Sequence, residues 1–241
     1  MPAYFVTGTD TDAGKTLASA GLLARARRAG QTTLGLKPIA SGSEATPEGL
    51  RNADALALQA QSAPAADSSR DQAVAYATIN PFAFAPAIAP HLAARRAGAE
   101  VQLAELTAWL RPLLALERDL TLVEGAGGWR VPLNEGEDLA ELALAMELPV
   151  LLVVGLRLGC LSHARLTAEA VRADGLHLAG WIGSLVDPAF AADDALYRDN
   201  LATLTRTLPA PCLGVIPRLP AGDPRAMAAA AADYLELPDA H

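Results

Sequence analysis

The chain has 241 residues, 51% of them hydrophobic and only 5% aromatic, with a net charge of −8. That length suits one large α/β domain with an Ala/Leu/Val core. The charge, with no dense Lys/Arg cluster, excludes a nucleic-acid face, and two cysteines, Cys160 and Cys212, exclude a disulfide framework or a zinc site.

Ala3 to Thr7 reads as a first strand, and Thr16 to Ala29 as a helix closed by Gly30. Between them lies Gly8-Thr9-Asp10-Thr11-Asp12-Ala13-Gly14-Lys15-Thr16. A glycine-rich turn that follows a strand and opens a helix is a phosphate loop, because backbone N–H groups at a helix start converge on an anion. Lys15 is placed to hold the outer phosphates and Thr16 to ligate Mg²⁺. The spacing departs from the common form, since five residues rather than four separate Gly8 from Gly14.

Thr32 to Pro38 reads as the second strand and Arg51 to Gln61 as a short helix. Residues 62–72 read as an exposed loop. Residues 80–91, with Pro81, Pro86 and Pro90, argue against a regular element. Val101 to Leu116 is helical, with Pro112 inside it. Leu120 to Glu124 is a buried strand followed by Gly125-Ala126-Gly127-Gly128, which places Glu124 at a carboxyl end of the sheet, where ligands sit. Val150 to Gly155 is a strand, Cys160 to Ala173 a helix, Leu178 to Leu185 a strand, residues 193–207 a helix, Cys212 to Ile216 a strand and Arg225 to Leu235 an Ala-rich helix. Apolar strands alternating with amphipathic helices give βαβ units. The expected fold is a single α/β domain over residues 1–241, of the P-loop NTPase type, with a mostly parallel sheet and helices on both faces.

Lys15 and Lys37 are the only lysines, against seventeen arginines. Lysine is a compact, strongly hydrated point charge, and positions that need one are mostly phosphate sites and reaction centres. Both follow strand-like runs, so both are expected in one active site. Asp54, taken alone, reads as a helix-surface aspartate. The cysteines read as buried small residues, and His91 and His163 as structural. No apolar run of about 18 residues is present, so no transmembrane helix is expected. The chain begins directly with a strand pattern and so shows no signal peptide. The expected location is cytoplasmic.

The segments GTDTDAGKT (8–16), GLKPIASG (35–42), RNADALAL (51–58), VEGAGG (123–128), LRLGCLSHARLT (156–167) and LAGWIGS (178–184) together resemble the ATP-dependent dethiobiotin synthetase family. The likeness runs from residue 3 to about residue 220. It implies a homodimeric P-loop enzyme of the biotin pathway that closes a cyclic urea from 7,8-diaminononanoate and CO₂ or bicarbonate with Mg·ATP. By that resemblance Lys37 is the catalytic lysine, alongside Lys15 and Thr11. Thr16, Asp54 and Glu124 would hold Mg²⁺. Asp12, Ala13, Gly14, Gly125, Ala126 and Gly127 would surround the nucleotide phosphates, and Ser184, Pro217, Arg218 and Leu219 its base and ribose. Thr11, Ser41 and Gly127 would meet the diamine or carbamate, and Gly159, Cys160 and Ser162 the substrate carboxylate across a dimer interface. Three positions depart from the family pattern: Ser162 and Ser184 stand where asparagine is expected, and Ala89 where serine is expected.

Two other classes share the loop architecture. Partitioning or membrane-positioning ATPases carry an extra lysine early in the loop, and residues 9–13 contain none. A metabolite kinase needs a cationic lid, for which only Arg95-Arg96 is available.

Overall fold

The computed structural model describes residues 2–63 and 74–239. β1 (Ala3–Gly8) leads into α1 (Lys15–Arg28) and β2 (Thr33–Leu36). Three short strands follow, β3 (Ile39–Ser41), β4 (Glu44–Thr46) and β5 (Gly49–Arg51), and then α2 (Ala53–Gln61). Next come α3 (Tyr76–Ile79), β6 (Phe82–Phe84), α4 (Pro90–Arg96), α5 (Leu103–Leu114), β7 (Leu120–Glu124) and α6 (Ala140–Ala145). The chain continues through β8 (Val150–Gly155), α7 (Cys160–Ala173) and β9 (Leu178–Ser184). After a 3-10 turn at Pro188–Ala191 it ends with α8 (Asp194–Thr207), β10 (Cys212–Ile216) and α9 (Pro224–Ala232).

Six strands form the main sheet in the order β10-β9-β8-β1-β7-β2, and every pairing in it is parallel. Every residue of β7, β8 and β9 is buried. Successive side chains on a strand point to opposite faces, so both faces of the sheet are covered. This is the expected doubly covered parallel sheet. α1 packs with α2 and α9, while α5 packs with α6 and α7 with α8.

β7 lies between β1 and β2, with Val6 beside Glu124 and Leu36 beside Val123. The carboxyl ends of three adjacent strands therefore deliver the phosphate loop, Glu124 and Lys37 to one place. β2 stops at Leu36 because Lys37 precedes Pro38 and turns its N–H to the Ile79 carbonyl, at 2.8 Å.

The segment 80–91 corrects the sequence expectation. Phe82–Phe84 forms β6 between Pro81 and Pro86, pairing only with β3, and α4 begins at Pro90. A proline at the first helical position loses no hydrogen bond, and a strand with one partner tolerates flanking prolines. The β4–β5 hairpin and the six-residue α6 were also not expected; they are too short to show a period. The loop expected at 62–72 lies largely outside the described residues. Pro112 sits inside α5, which runs on to Leu114.

Candidate active site

The phosphate loop curls around the N-terminus of α1. Asp12 at φ 57° and Gly14 at φ 90° both adopt left-handed backbone. No side chain caps the α1 N-terminus and no acidic residue sits in its first turn, so its N–H groups are left for a ligand. A Cβ at Gly14 would collide with the Ser184 hydroxyl, so only glycine fits there. The loop is tied to the β8 end by the Thr9 hydroxyl, which accepts from Gly155 N–H at 3.2 Å, and by the Asp10–Arg157 ion pair.

Lys15 lies along Gly8 and donates from Nζ to the Asp10 carbonyl at 3.0 Å. Thr16 donates its hydroxyl to Glu124 Oε1 at 2.8 Å. Lys37 Nζ meets the same Oε1 at 2.7 Å, Asp54 Oδ2 at 3.0 Å and the Gly125 carbonyl at 3.2 Å. Glu124 is fully buried and the Lys37 side chain is 4% exposed, whereas Asp54 is 44% exposed to the cleft.

These groups perturb one another. Burial alone would lower the Lys37 pKa, but Glu124 and Asp54 outweigh it and hold it above the ordinary lysine range. Burial would likewise raise Asp54, and the charge and hydrogen bond of Lys37, with Thr16 and Lys15, pull it below the usual carboxylate value. Lys15 has no such direct partner. Burial first, then the Lys37 charge, lowers its pKa against the pull of Glu124, Asp54 and Asp12.

Over this cluster opens a cleft of about 1000 Å³. Of the residues named from the sequence, Thr11, Asp12, Gly14, Lys15, Thr16, Lys37, Ser41, Asp54, Ala126 and Gly127 line it. Glu124 and Gly125 lie just beneath, behind Lys37. Ala13 is buried in the loop. Ser184, Gly159, Cys160, Ser162, Pro217, Arg218 and Leu219 do not line the cleft. Ser184 is 4% exposed and packs on Gly14, Cys160 is buried, and Ser162 and Arg218 are exposed.

The oxygen donors fit a hard cation. Glu124 Oε2 is buried with no hydrogen-bond partner among the described residues, while Thr16 and Lys37 meet the other oxygen, Oε1. The point between Asp54 and Glu124 already attracts one cation, the Lys37 ammonium. Among the described residues no three His, Cys, Asp or Glu side chains group as a metal cage. The two carboxylates present, Asp54 and Glu124, fit Mg²⁺, which takes one or two carboxylates and draws its remaining ligands from phosphates and water.

Sequence reasoning missed several cleft residues. Asn52 lines it and caps α2, accepting from Asp54 N–H at 3.0 Å; an asparagine before a helix was the available signal. Arg130 also lines it and pairs with Asp174 at 2.6 Å. Ile88, Pro90, Val131 and Pro132 supply an apolar wall that no spacing announces.

A family model described as an AAA domain matches residues 2–226. The chain is 67% identical to ATP-dependent dethiobiotin synthetase BioD of Chromohalobacter salexigens, over 99% of each chain. It is 58% identical to the BioD of Pseudomonas aeruginosa over 95% of each, and 52% identical to that of Cellvibrio japonicus over 98% of this chain and 96% of the relative. Among solved structures it resembles the MinD cell division protein of Aquifex aeolicus, at 12% identity and a TM-score of 0.56, over 97% of this chain and 95% of that one. That likeness shows the P-loop fold alone. With its family match and these relatives along nearly its whole length, the chain belongs to the ATP-dependent dethiobiotin synthetase family.

Proposed function

We propose that the chain closes the ureido ring of dethiobiotin from 7,8-diaminononanoate, CO₂ and ATP, as a carbon–nitrogen ligase of biotin biosynthesis. One observation supports this most. A buried lysine, Lys37, is clamped between Asp54 and Glu124 beside the phosphate-loop lysine, at the floor of a cleft of about 1000 Å³.

An amine of the substrate adds CO₂ and loses a proton to give a carbamate anion. A carbamate oxygen attacks the γ-phosphorus, the bond to the β–γ bridging oxygen breaks, and ADP leaves. The product is a mixed carbamic–phosphoric anhydride. The second amine attacks its carbonyl carbon, loses a proton and expels phosphate. The first step brings two anions together, so the site must place positive charge between them. Lys15 and the N–H groups of α1 serve the phosphates, and Lys37 serves the carbamate side. Thr16, Asp54 and Glu124 would hold Mg²⁺, which when bound neutralises phosphate charge. Thr11, Ser41 and Gly127 line the cleft where the diamine would lie. Holding both amines there makes ring closure intramolecular and removes much of its entropic barrier.

The substrate tail and the base use less of the cleft. Leu158 is 93% exposed and Leu166, on α7, is 60% exposed, which supports a second copy covering Gly159, Cys160 and Ser162 in a homodimer. Ser184 ends β9 and Pro217–Leu219 follow β10 at the carboxyl edge, and they are proposed to face the base and ribose. One P-loop domain over residues 1–241 carries these groups. Among the described residues no helix is long and apolar enough to cross a membrane; the use of ATP and a diamino acid supports a cytoplasmic location. The test is ADP release from Mg·ATP and bicarbonate, with and without 7,8-diaminononanoate. Release that depends on the diamine supports the ligase; release that ignores it overturns it.

A further inference from the structure

A chain of hydrogen bonds outside the reacting groups joins the strand end that carries Lys37 to the helix that carries Asp54. Asn80 donates one amide hydrogen to the Lys37 carbonyl at 2.7 Å and the other to the Phe82 carbonyl at 3.2 Å. Its carboxamide oxygen is thereby left to accept, and the Tyr76 hydroxyl donates to it at 2.9 Å. The Tyr76 oxygen in turn accepts from Asn52 N–H at 2.8 Å. Asn52 then splits its side chain. Its oxygen accepts from Asp54 N–H and Ala55 N–H, which starts α2, and its nitrogen donates to the Ser41 carbonyl at 3.2 Å. The Arg51 guanidinium lies over the Tyr76 ring, 4.3 Å from its centroid.

Asn52 and Asn80 are both buried, so each of these hydrogen bonds would be expensive to leave unmade. The polarity runs one way throughout. Asn80 cannot flip without setting its oxygen against two carbonyls, and the Tyr76 proton has one acceptor to face. Among the described residues the Tyr76 hydroxyl joins the α3 side, with Asn80, to the α2 side, with Asn52, beside the Gln59 Nε2 donation to the Val74 carbonyl at 2.7 Å.

We propose that Tyr76 is a positioning residue for the reaction: its hydroxyl fixes the spacing between Lys37 and Asp54 through Asn80 and Asn52. In the structure at hand the Lys37–Asp54 ion pair, at 3.0 Å, spans the same gap from the cleft side. When Lys37 turns to the carbamate it gives up part of that ion pair. The Tyr76 chain then helps to hold the two groups in register at the cleft end, while the Ser62 hydroxyl, accepting from Gly35 N–H at 3.0 Å, and the Thr33 hydroxyl, donating to the Gln61 carbonyl at 2.6 Å, tie α2 to β2 at its far end. The inference rests on the ligase reading for the role of Lys37.

The test is Tyr76→Phe, which keeps the ring under Arg51 and removes one oxygen. Each protein is assayed well below its thermal midpoint, in single turnovers with saturating Mg·ATP, bicarbonate and diamine. Loss of register of about an ångström is costly, so the rate is expected to fall about tenfold. The ATP dissociation constant should stay within about twofold, because the phosphate loop is outside the chain. The deciding measurement is the double variant Tyr76→Phe/Lys37→Gln. If Tyr76 acts through Lys37, adding it to Lys37→Gln costs no more than about twofold. An unchanged rate in Tyr76→Phe, or the same fractional loss in both backgrounds, overturns the proposal. A folding defect alone would lower the thermal midpoint and leave the rate per folded molecule intact, which overturns it too. Diamine dependence of the native protein, measured alongside, separates failure of the ligase reading from failure of this one.

Discussion

The two ends of the carboxyl edge of the sheet are built differently. At β1, β7 and β2, the buried charged side chains apart from Lys15 find their partners within the chain: Lys37 with Glu124 and Asp54, and Glu124 also with the Thr16 hydroxyl. At β9, β10 and the start of α7, the residues expected to recognise base and substrate tail either pack on the loop, as Ser184 does, or point to solvent, as Ser162 and Arg218 do. The contrast separates chemistry from recognition. Stabilising a phosphoryl transfer needs preorganised charge, which has to be fixed before the ligand arrives. Recognition can be completed by the ligand and, in the proposed homodimer, by a second copy. If this division holds, changes at the first end should damage rate and changes at the second should damage selectivity.

The largest expected effect is at Lys37. On the proposed mechanism Lys37→Gln removes a charge from the carbamate side of the transfer, so kcat should fall at least about a hundredfold, the scale for losing one transition-state stabiliser. It also leaves Glu124, fully buried, without its cation. Breaking such a pair costs on the order of 3–5 kcal/mol, relieved if Glu124 takes up a proton, so the thermal midpoint should fall as well. The raised Lys37 pKa sets the pH window. Its contribution to stability is complete below the unfolded value of about 10.4 and is lost only as pH rises through the higher folded value. The rate deficit of the variant should therefore be constant between about pH 6 and 10. Wild-type kcat in Lys37→Gln would put the lysine outside the chemistry and erase the contrast.

Much of this end is legible in the sequence because its signals are local or periodic. The strand–glycine loop–helix at residues 3–28 and the strand ending at Glu124 follow from apolar runs and turn residues. So do the bounds of β8 and α7. That two lysines alone survive among nineteen basic residues pointed to both as site residues, and the structure does bring them to one cleft. What stayed hidden depends on contacts distant in sequence. The β3–β6 pairing joins segments about forty residues apart with no alternation. Asn80 reaches Lys37 across 43 positions, and Tyr76 reaches Asn52 across 24. Such polar links follow no 2- or 3.6-residue period. The Lys37 bridge between two carboxylates was likewise unreadable, since Asp54 taken alone reads as a helix-surface aspartate and only the family resemblance implies a metal role for it beside Glu124.

A middle-sized effect is expected at Lys15, the cation at this end without a carboxylate partner. Its pKa is lowered first by burial and then by the Lys37 charge. At neutral pH the charged form therefore costs stability, a cost relieved as pH rises through the lowered value. ATP binding has the opposite sign, because the phosphates need the ammonium. Affinity for Mg·ATP, followed by calorimetry, should begin to fall below pH 10.4, the ordinary lysine value, by up to about tenfold per pH unit. In Lys15→Arg, whose guanidinium does not titrate there, the alkaline limb should vanish even though affinity is lower. A limb at or above pH 10.4 in the native protein would mean that Lys37 and burial do not press on Lys15.

The smallest effect, and the sharpest probe of the other end, is at Ser184. It ends β9, is 4% exposed, and its hydroxyl occupies the space a Cβ on Gly14 would need. An asparagine at this position, as the family resemblance implies, offers a donor and an acceptor together and matches the N6/N7 edge of adenine. Serine is shorter and cannot span both. One neutral hydrogen bond is worth about 0.5–1.5 kcal/mol, so base discrimination should be lower by roughly three- to tenfold. Measurable turnover with CTP or GTP is the expected result, with a gain in ATP preference of that size in Ser184→Asn. The longer side chain cannot remain where the serine hydroxyl sits, because Gly14 at φ 90° closes that space. It must turn outward toward the nucleotide or push the phosphate loop aside. kcat/KM for each triphosphate separates the two. An outward asparagine raises ATP relative to CTP and GTP, whereas a displaced loop lowers all three alike. A native ATP preference above about a thousandfold, unmoved by the substitution, would exceed what one such hydrogen bond supplies and show that Ser184 does not read the base.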